Sequence, residues 1–100
     1  MKNPGTGHEG PRNAISGRLR RARLAFNPPL TQDELSGRLA VKGLLLERVA
    51  ITKIENGKRC VFDFEVAALS EVLKVDVRWL LGMQTSGGPA NRNGRSTDGV

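Results

Sequence analysis

The sequence has little cysteine, little histidine and no long apolar run, and each absence excludes a class of protein. Its 100 residues contain one cysteine, Cys60, and one histidine, His8. This excludes an internal disulfide and leaves too few of the usual ligands for a closed zinc site, and we expect no cofactor. The longest run of Leu, Ile or Val, Leu44–Leu46, is far shorter than the roughly 18 residues of a membrane span. Because no apolar segment lies near the N-terminus, we expect no secretory signal and a cytoplasmic location.

A basic excess is the main feature of the composition. The chain has 16 Lys+Arg and 10 Asp+Glu, a formal net charge of +6 and a pI near 10.5. Such an excess favours a polyanionic partner but does not identify it. The length is that of one small domain, and Leu, Ile, Val and Phe account for 26 of the 100 residues. This share lies above the roughly 20% below which charged chains stay disordered, so we expect a small folded core.

The apolar residues are concentrated in the middle of the chain. Residues 1–13 contain no Leu, Ile, Val or Phe, and residues 83–100 contain only Val100. Segments of this kind bury too little apolar surface to offset the entropy lost on ordering. We therefore predict a folded domain at residues 14–82 between two flexible tails, with His8 inert in the first tail.

Start and stop signals divide the domain into five helices, so the predicted fold class is all-α. Thr31 followed by Glu34 is a capping-box pattern at the start of the second helix. Gly57 is suited to end the third helix, because glycine adopts the left-handed conformation that follows a helix. Asp76 is expected to cap the fifth helix, and Asp63 to cap the fourth. The predicted helices cover about residues 16–26, 32–40, 47–56, 63–73 and 77–81.

The helical spacing of the apolar residues also predicts which single side chains lie in the core and which lie at the surface. Trp79 is expected in the core, and Cys60 is expected to be a small, partly buried apolar residue. The arginines of the first helix, Arg18, Arg20 and Arg21, are expected to face solvent.

Three segments of the domain, taken together, carry a family resemblance. They are LTQDEL at residues 30–35, ITKIENGKR at 51–59 and VDVRWLLG at 75–82. Together they resemble the helix-turn-helix domain of the Cro/C1-type phage repressors, also called the XRE family. The resemblance covers about residues 15–82 and implies a five-helix phage-repressor-like fold. Residues 41–46 exceed the 3–4 residues of a compact helix-turn-helix connection, which indicates a longer-turn branch of that family.

The resemblance implies contacts between the third helix and the bases of duplex DNA. In this family the third helix enters the major groove and the second lies across the backbone. The matching outward positions of the helix at 47–56 are Arg48, Val49, Thr52 and Lys53. Arg48 is suited to the O6 and N7 acceptors of guanine, and Val49 to a thymine methyl group. Thr52 and Lys53 can donate to base edges or phosphates.

The resemblance also implies phosphate contacts and one structural ion pair. An ion pair between Arg23 and Glu55 would lock the first helix to the third. Glu47 lies where Ser, Thr or Asp usually caps a helix, and its carboxylate would repel a nearby phosphate. The phosphate-contacting positions implied are Gln32, Asn56, Lys58 and Arg59.

Each implied contact has a simpler alternative. Arg48 and Lys53 are also consistent with solvated helix charges, and Lys58 and Arg59 with charges that keep a protein soluble. Val49 is also consistent with a partly buried packing residue.

These observations predict a sequence-specific, double-stranded DNA-binding transcriptional regulator that acts as a repressor. We expect no enzymatic activity, because no P-loop, Ser/His/Asp set or paired-carboxylate cleft can be assembled. A homodimer formed through Val77, Leu81 and Met83 would bind a palindromic or pseudo-palindromic operator with half-sites about one helical turn apart. The same three residues are equally consistent with completing the core of a single copy. The alternative is an antitoxin of a toxin–antitoxin pair, which uses the same fold to bind both its toxin and its operator.

Overall fold

Five helices make up the regular structure of the computed structural model, which describes residues 10–89. None of these helices has the length and apolar character that crossing a membrane requires. The all-α prediction is confirmed, with no strand among the described residues. The parts of the predicted tails at 1–9, including His8, and at 90–100 lie outside them. The helices are α1 (Ser16–Leu24), α2 (Gln32–Val41), α3 (Arg48–Glu55), α4 (Asp63–Leu73) and α5 (Val77–Leu80).

The largest difference from the predicted helix boundaries is at the end of α1. This helix ends at Leu24, although the sequence pattern predicts helix as far as Phe26. The carbonyl of Arg23 accepts hydrogen bonds from the N–H groups of Phe26 (3.4 Å) and Leu30 (3.1 Å). These bonds turn the chain away from the helix axis before Pro28, which disfavours helical dihedrals in the residue that precedes it.

The predicted capping box at the start of α2 is confirmed. The N–H of Glu34 donates to Thr31 Oγ1 at 3.0 Å, and the N–H of Thr31 donates to Glu34 Oε1 at 2.8 Å. This backbone hydrogen bond holds the pKa of the Glu34 carboxyl below its ordinary value. Asp76 caps α5 as predicted, because its Oδ1 accepts from the N–H of Arg78 at 2.8 Å.

The prediction that Asp63 caps α4 is wrong. Asp63 is the first helical residue, and Phe62 occupies the capping position with no side-chain acceptor. Glu65, three residues further on, instead accepts the N–H of Phe62 on Oε1 at 3.0 Å. The start of α4 is therefore stabilised by half of a capping box.

A glycine in a left-handed conformation follows each of the helices α2 and α3. Gly43 follows α2 with φ +88°, and Gly57 follows α3 with φ +73°. At the end of α3, the N–H of Gly57 donates to Ile54 O (3.0 Å) and that of Lys58 donates to Lys53 O (2.8 Å). This pair of bonds is the Schellman motif, which satisfies the last carbonyls of a helix and reverses the chain.

The core is formed by the inward faces of all five helices. Trp79 is buried within it, as predicted. Cys60 is exposed, so its predicted partial burial is wrong. The loop between α3 and α4 packs the neighbouring Val61 against the core, which leaves Cys60 facing outward. The fully buried large side chains are Ile15, Leu19, Leu35, Leu39, Ile51, Ile54, Leu69, Leu73 and Leu80.

Arginines of α1 cover Trp79, which corrects one surface prediction. Arg18 is half-buried, because its Nη1 donates to the carbonyls of Trp79 (2.8 Å) and Gln84 (2.9 Å). Its guanidinium lies 5.0 Å from the centre of the indole ring, and that of Arg21 lies 5.5 Å from it. Both are within cation–π range. Arg20 is exposed as predicted.

Hydrogen bonds extend the packed region beyond residues 14–82. The N–H of Arg12 donates to Gly57 O at 2.7 Å, and the N–H of Asp76 donates to Gly87 O at 2.8 Å. Both of these hydrogen bonds are made by backbone atoms. A count of apolar side chains does not detect such contacts, and the domain limits of 14–82 stay a prediction.

Replacing Gly57 with alanine is expected to lower the free energy of unfolding by about 1–3 kcal/mol, because a left-handed backbone is strained for a residue with a Cβ. The new Cβ would also lie 2.8 Å from Pro11 Cβ. Gly37→Ala is the control: it lies inside α2 with no atom near the added Cβ, and it should raise stability by about 0.5–1 kcal/mol. Denaturant unfolding measures both. Equal midpoints for Gly57→Ala and the parent would contradict the expectation.

Candidate nucleic-acid interface

A buried ion pair fixes the position of α3 against α1. Arg23 Nε lies 2.7 Å from Glu55 Oε2, and Arg23 Nη2 lies 2.8 Å from Glu55 Oε1. The two side chains are only 10% and 4% exposed. Arg23 Nη1 also donates to the carbonyl of Leu30 at 2.9 Å. One guanidinium therefore connects α1, the loop before α2 and the last turn of α3.

Gln32 and Thr52 extend this hydrogen-bond network to the surface between α2 and α3. Gln32 Nε2 donates to Glu55 Oε1 at 3.1 Å, and Thr52 Oγ1 donates to Gln32 Oε1 at 2.8 Å. Because a hydroxyl has a single proton, Thr52 offers acceptor lone pairs to any partner outside the protein. This differs from the donor role expected from sequence. Gln32 keeps one amide N–H for such a partner.

The four predicted base-contacting residues lie on two flanks of α3. Arg48 and Thr52 are on the flank next to α2, where Arg48 Nε lies 3.4 Å from Asp33 Oδ1 in an exposed pair. Val49 follows Arg48 and Lys53 follows Thr52, so both lie on the other flank of α3. There they line a groove. Val49 is 58% exposed, so it is not a core residue.

This second flank borders an open groove of about 560 Å³, which we call the α3 groove. Its walls combine apolar and charged side chains from α3 and from the loops at both of its ends. Leu45 is 85% exposed in this groove, and neither its spacing nor the family resemblance predicts a DNA contact for it. Helical spacing predicts that Leu46, four residues before Ala50, faces inward, but only the path of the loop shows that Leu45 rather than Leu44 is exposed. The exposed and half-buried side chains that line it include Leu45, Glu47, Val49, Lys53, Lys58 and Arg59.

Lys58 and Asn56 present polar groups at the C-terminal end of α3, where both are exposed. Arg59 is half-buried, and its guanidinium holds the Glu65 carboxylate through Nη1 (2.9 Å) and Nη2 (3.0 Å). This contact raises the pKa of Arg59 and, with the N–H of Phe62, lowers the pKa of Glu65. Arg59 therefore braces the loop into α4, which leaves only part of its N–H groups for a phosphate.

The side chain of Asn13, which precedes α1, holds the C-terminal end of α3 by hydrogen bonds. Its Nδ2 donates to the carbonyls of Ile54 (3.1 Å) and Arg59 (2.9 Å). Its Oδ1 accepts the N–H of Ile15 at 2.9 Å, which positions the side chain at the start of α1. Sequence reasoning missed this residue, because an isolated asparagine outside the apolar pattern gives no signal of a long-range contact.

The charges around α3 are mixed, with cations predominating on the outer face. Arg48, Lys53 and Lys58 are exposed there, together with the carboxylates of Glu47 and Asp33. Within residues 10–89, no group of three or more His, Cys, Asp or Glu side chains is arranged to hold a metal ion.

The residues predicted to form a dimer contact lie at α5. Val77 and Met83 are exposed, whereas Leu81 is half-buried and packs against the core. Val77 and Leu81 line a second, mainly apolar groove together with residues of α4.

Comparisons of the chain with protein-family models, with curated proteins and with solved structures found no match. The chemistry of these residues is therefore the basis for any function assigned to the site.

Replacing Glu55 with glutamine is expected to cost about 3–5 kcal/mol of folding stability, because it leaves the buried Arg23 without its counter-charge. Glu71→Gln is the matched control: it breaks an exposed pair with Lys42 (3.6 Å) and should cost less than about 1 kcal/mol. Urea unfolding of both variants measures the difference. Similar losses in the two would show that the buried pair does not stabilise the fold.

The Arg59–Glu65 pair predicts a loss of stability in acid. The folded pKa of Glu65 lies below its ordinary value of 4.5, so its ionised form stabilises the protein above that pH. The contribution disappears as the pH falls through the folded pKa. Glu65→Gln should therefore lower the free energy of unfolding near neutral pH and flatten its decline below about pH 4.5. Urea titrations across this range test the expectation, and an unchanged slope in the variant would refute it.

Proposed function

We propose that the chain is a sequence-specific, double-stranded DNA-binding transcriptional regulator of the Cro/C1-type helix-turn-helix class, in its longer-turn branch. It acts in the cytoplasm as a repressor. The observation that supports this most is the division of α3 into two faces. The inner face is fixed by the Arg23–Glu55 pair, while the outer face exposes Arg48, Val49 and Lys53 to solvent.

Under this proposal, α3 enters the major groove and its outer residues contact base edges. Arg48 donates to guanine O6 and N7, and Val49 contacts a thymine methyl. Thr52 accepts from an exocyclic amino group, because its own proton is bonded to Gln32. Lys53 donates to a base acceptor or to a phosphate.

Phosphate contacts place the protein on the duplex under the same proposal. Asn56 and Lys58 contact one strand just beyond α3, and Gln32 contacts the backbone at the N-terminus of α2, where free amides favour an anion. Arg59 contributes to the same strand with the N–H groups that Glu65 and the Cys60 carbonyl leave unbonded.

We propose that two copies bind together. Val77 and Met83 are exposed beside the half-buried Leu81, and this supplies an apolar surface near the end of the fold. A two-fold dimer requires an operator with matching symmetry.

Selection of bound sites from random duplex DNA tests the proposal, and a symmetric consensus is expected. Affinity should fall steeply with salt, and Lys58→Ala should weaken all sequences alike and reduce the salt slope by about one. Arg48→Ala should cost about 1–3 kcal/mol and relax the preference at one base position.

Lys42→Ala is the control for charge, because Lys42 lies at the end of α2 and pairs with Glu71 of α4. It should leave the consensus unchanged. Recovery of no enriched sequence, with no duplex binding even at low salt, would overturn the proposed function.

A further inference from the structure

Two exposed apolar side chains lie together in the α3 groove. Leu45 and Val49 are 85% and 58% exposed and line the same groove as Lys53 and Lys58. An isolated apolar residue at the surface needs no explanation, but an apolar pair between cations is typical of a binding surface.

The loop holds Leu45 in this position through its neighbours. Leu46 is buried and Leu44 is half-buried against the core, so both sides of Leu45 are anchored. The N–H of Leu44 donates to Leu39 O at 3.0 Å, and Glu47 caps α3 by accepting from the N–H of Ile51 at 3.0 Å on its carbonyl. Leu45 is therefore presented outward by a fixed backbone.

The charges of the groove indicate what it binds. Lys53 and Lys58 favour a polyanion, whereas the exposed carboxylate of Glu47 repels a phosphate brought to the apolar part of the groove. A duplex satisfies both conditions, since its phosphates can lie near the lysines while its base edges face Leu45 and Val49. On the major-groove edge, the apolar group that a base presents is the C5 methyl of thymine.

We propose that Leu45 and Val49 form a methyl-binding surface that selects 5-methylpyrimidines at two positions of each half-site, one for each side chain. The inference rests on the proposed DNA-binding function and extends it by a residue outside α3. It also predicts that 5-methylcytosine is bound more tightly than cytosine at these positions, because both 5-methylpyrimidines present the same methyl group in the major groove.

Exchange of thymine for deoxyuridine tests this, because it removes the methyl group and keeps the base pair. In the site selected by the full chain, single exchanges at two thymines of one half-site should each weaken binding about fourfold, the effect of burying one methyl-sized group. Where either position is changed to cytosine, 5-methylation should recover about the same factor.

The side chains are assigned by variants. Leu45→Ala should abolish the effect of the methyl group at one position and Val49→Ala at the other, which is the coupling expected of direct contact. Val41→Ala is the matched control, since Val41 is 87% exposed but lies at the end of α2 against a different groove. It should keep both effects. Circular dichroism confirms that each variant is folded.

The outcomes separate this inference from the proposed function. A selected consensus in which every thymine tolerates deoxyuridine overturns methyl binding and leaves DNA binding intact. Methyl effects that persist in both Leu45→Ala and Val49→Ala also overturn it. Failure to select any duplex overturns the proposed function and, with it, the methyl-binding surface.

Discussion

The buried pair of Arg23 and Glu55 is the interaction on which the geometry of the candidate site depends. α3 has eight residues, and a helix of that length has little stability of its own. Its orientation comes from tertiary contacts, and the bidentate guanidinium ties its last turn to α1 and to the loop before α2. Gln32 and Thr52 then connect the same carboxylate to the start of α2. Without this network, α3 would be positioned only by apolar packing and by the Asn13 hydrogen bonds at its C-terminal end.

The arrangement separates stability from binding within one short helix. Ile51 and Ile54 are fully buried and Glu55 is paired, whereas Val49 and Lys53 are exposed and do not pack in the core. The identity of the exposed residues is therefore not constrained by the core and can suit a ligand. The net charge of the chain reveals little of this, because the groove also contains the carboxylate of Glu47. What distinguishes the surface is the position of a few cations beside exposed apolar side chains.

Local signals in the sequence predicted most of the fold, and contacts between distant segments account for what they missed. The Thr31–Glu34 capping box and the helix-ending role of Gly57 depend on residues close to them in sequence, so both can be predicted from residue spacing. Asn13 bonds to carbonyls more than 40 residues away, and the exposure of Leu45 depends on how its loop packs. The outer residues of α3 are predicted by the resemblance and by periodicity, whereas the contact between Arg59 and Glu65 depends on the path of the loop into α4.

The contact of Pro11 with Gly57 has a practical consequence for handling the protein. Pro11 and Arg12 lie beside the C-terminal end of α3, next to Lys58, because the N–H of Arg12 donates to Gly57 O. A bulky affinity tag or fluorophore attached directly before Gly10, in place of residues 1–9, would begin next to the candidate DNA-binding surface. It would compete with a ligand for space there and would place its own charges in the same field.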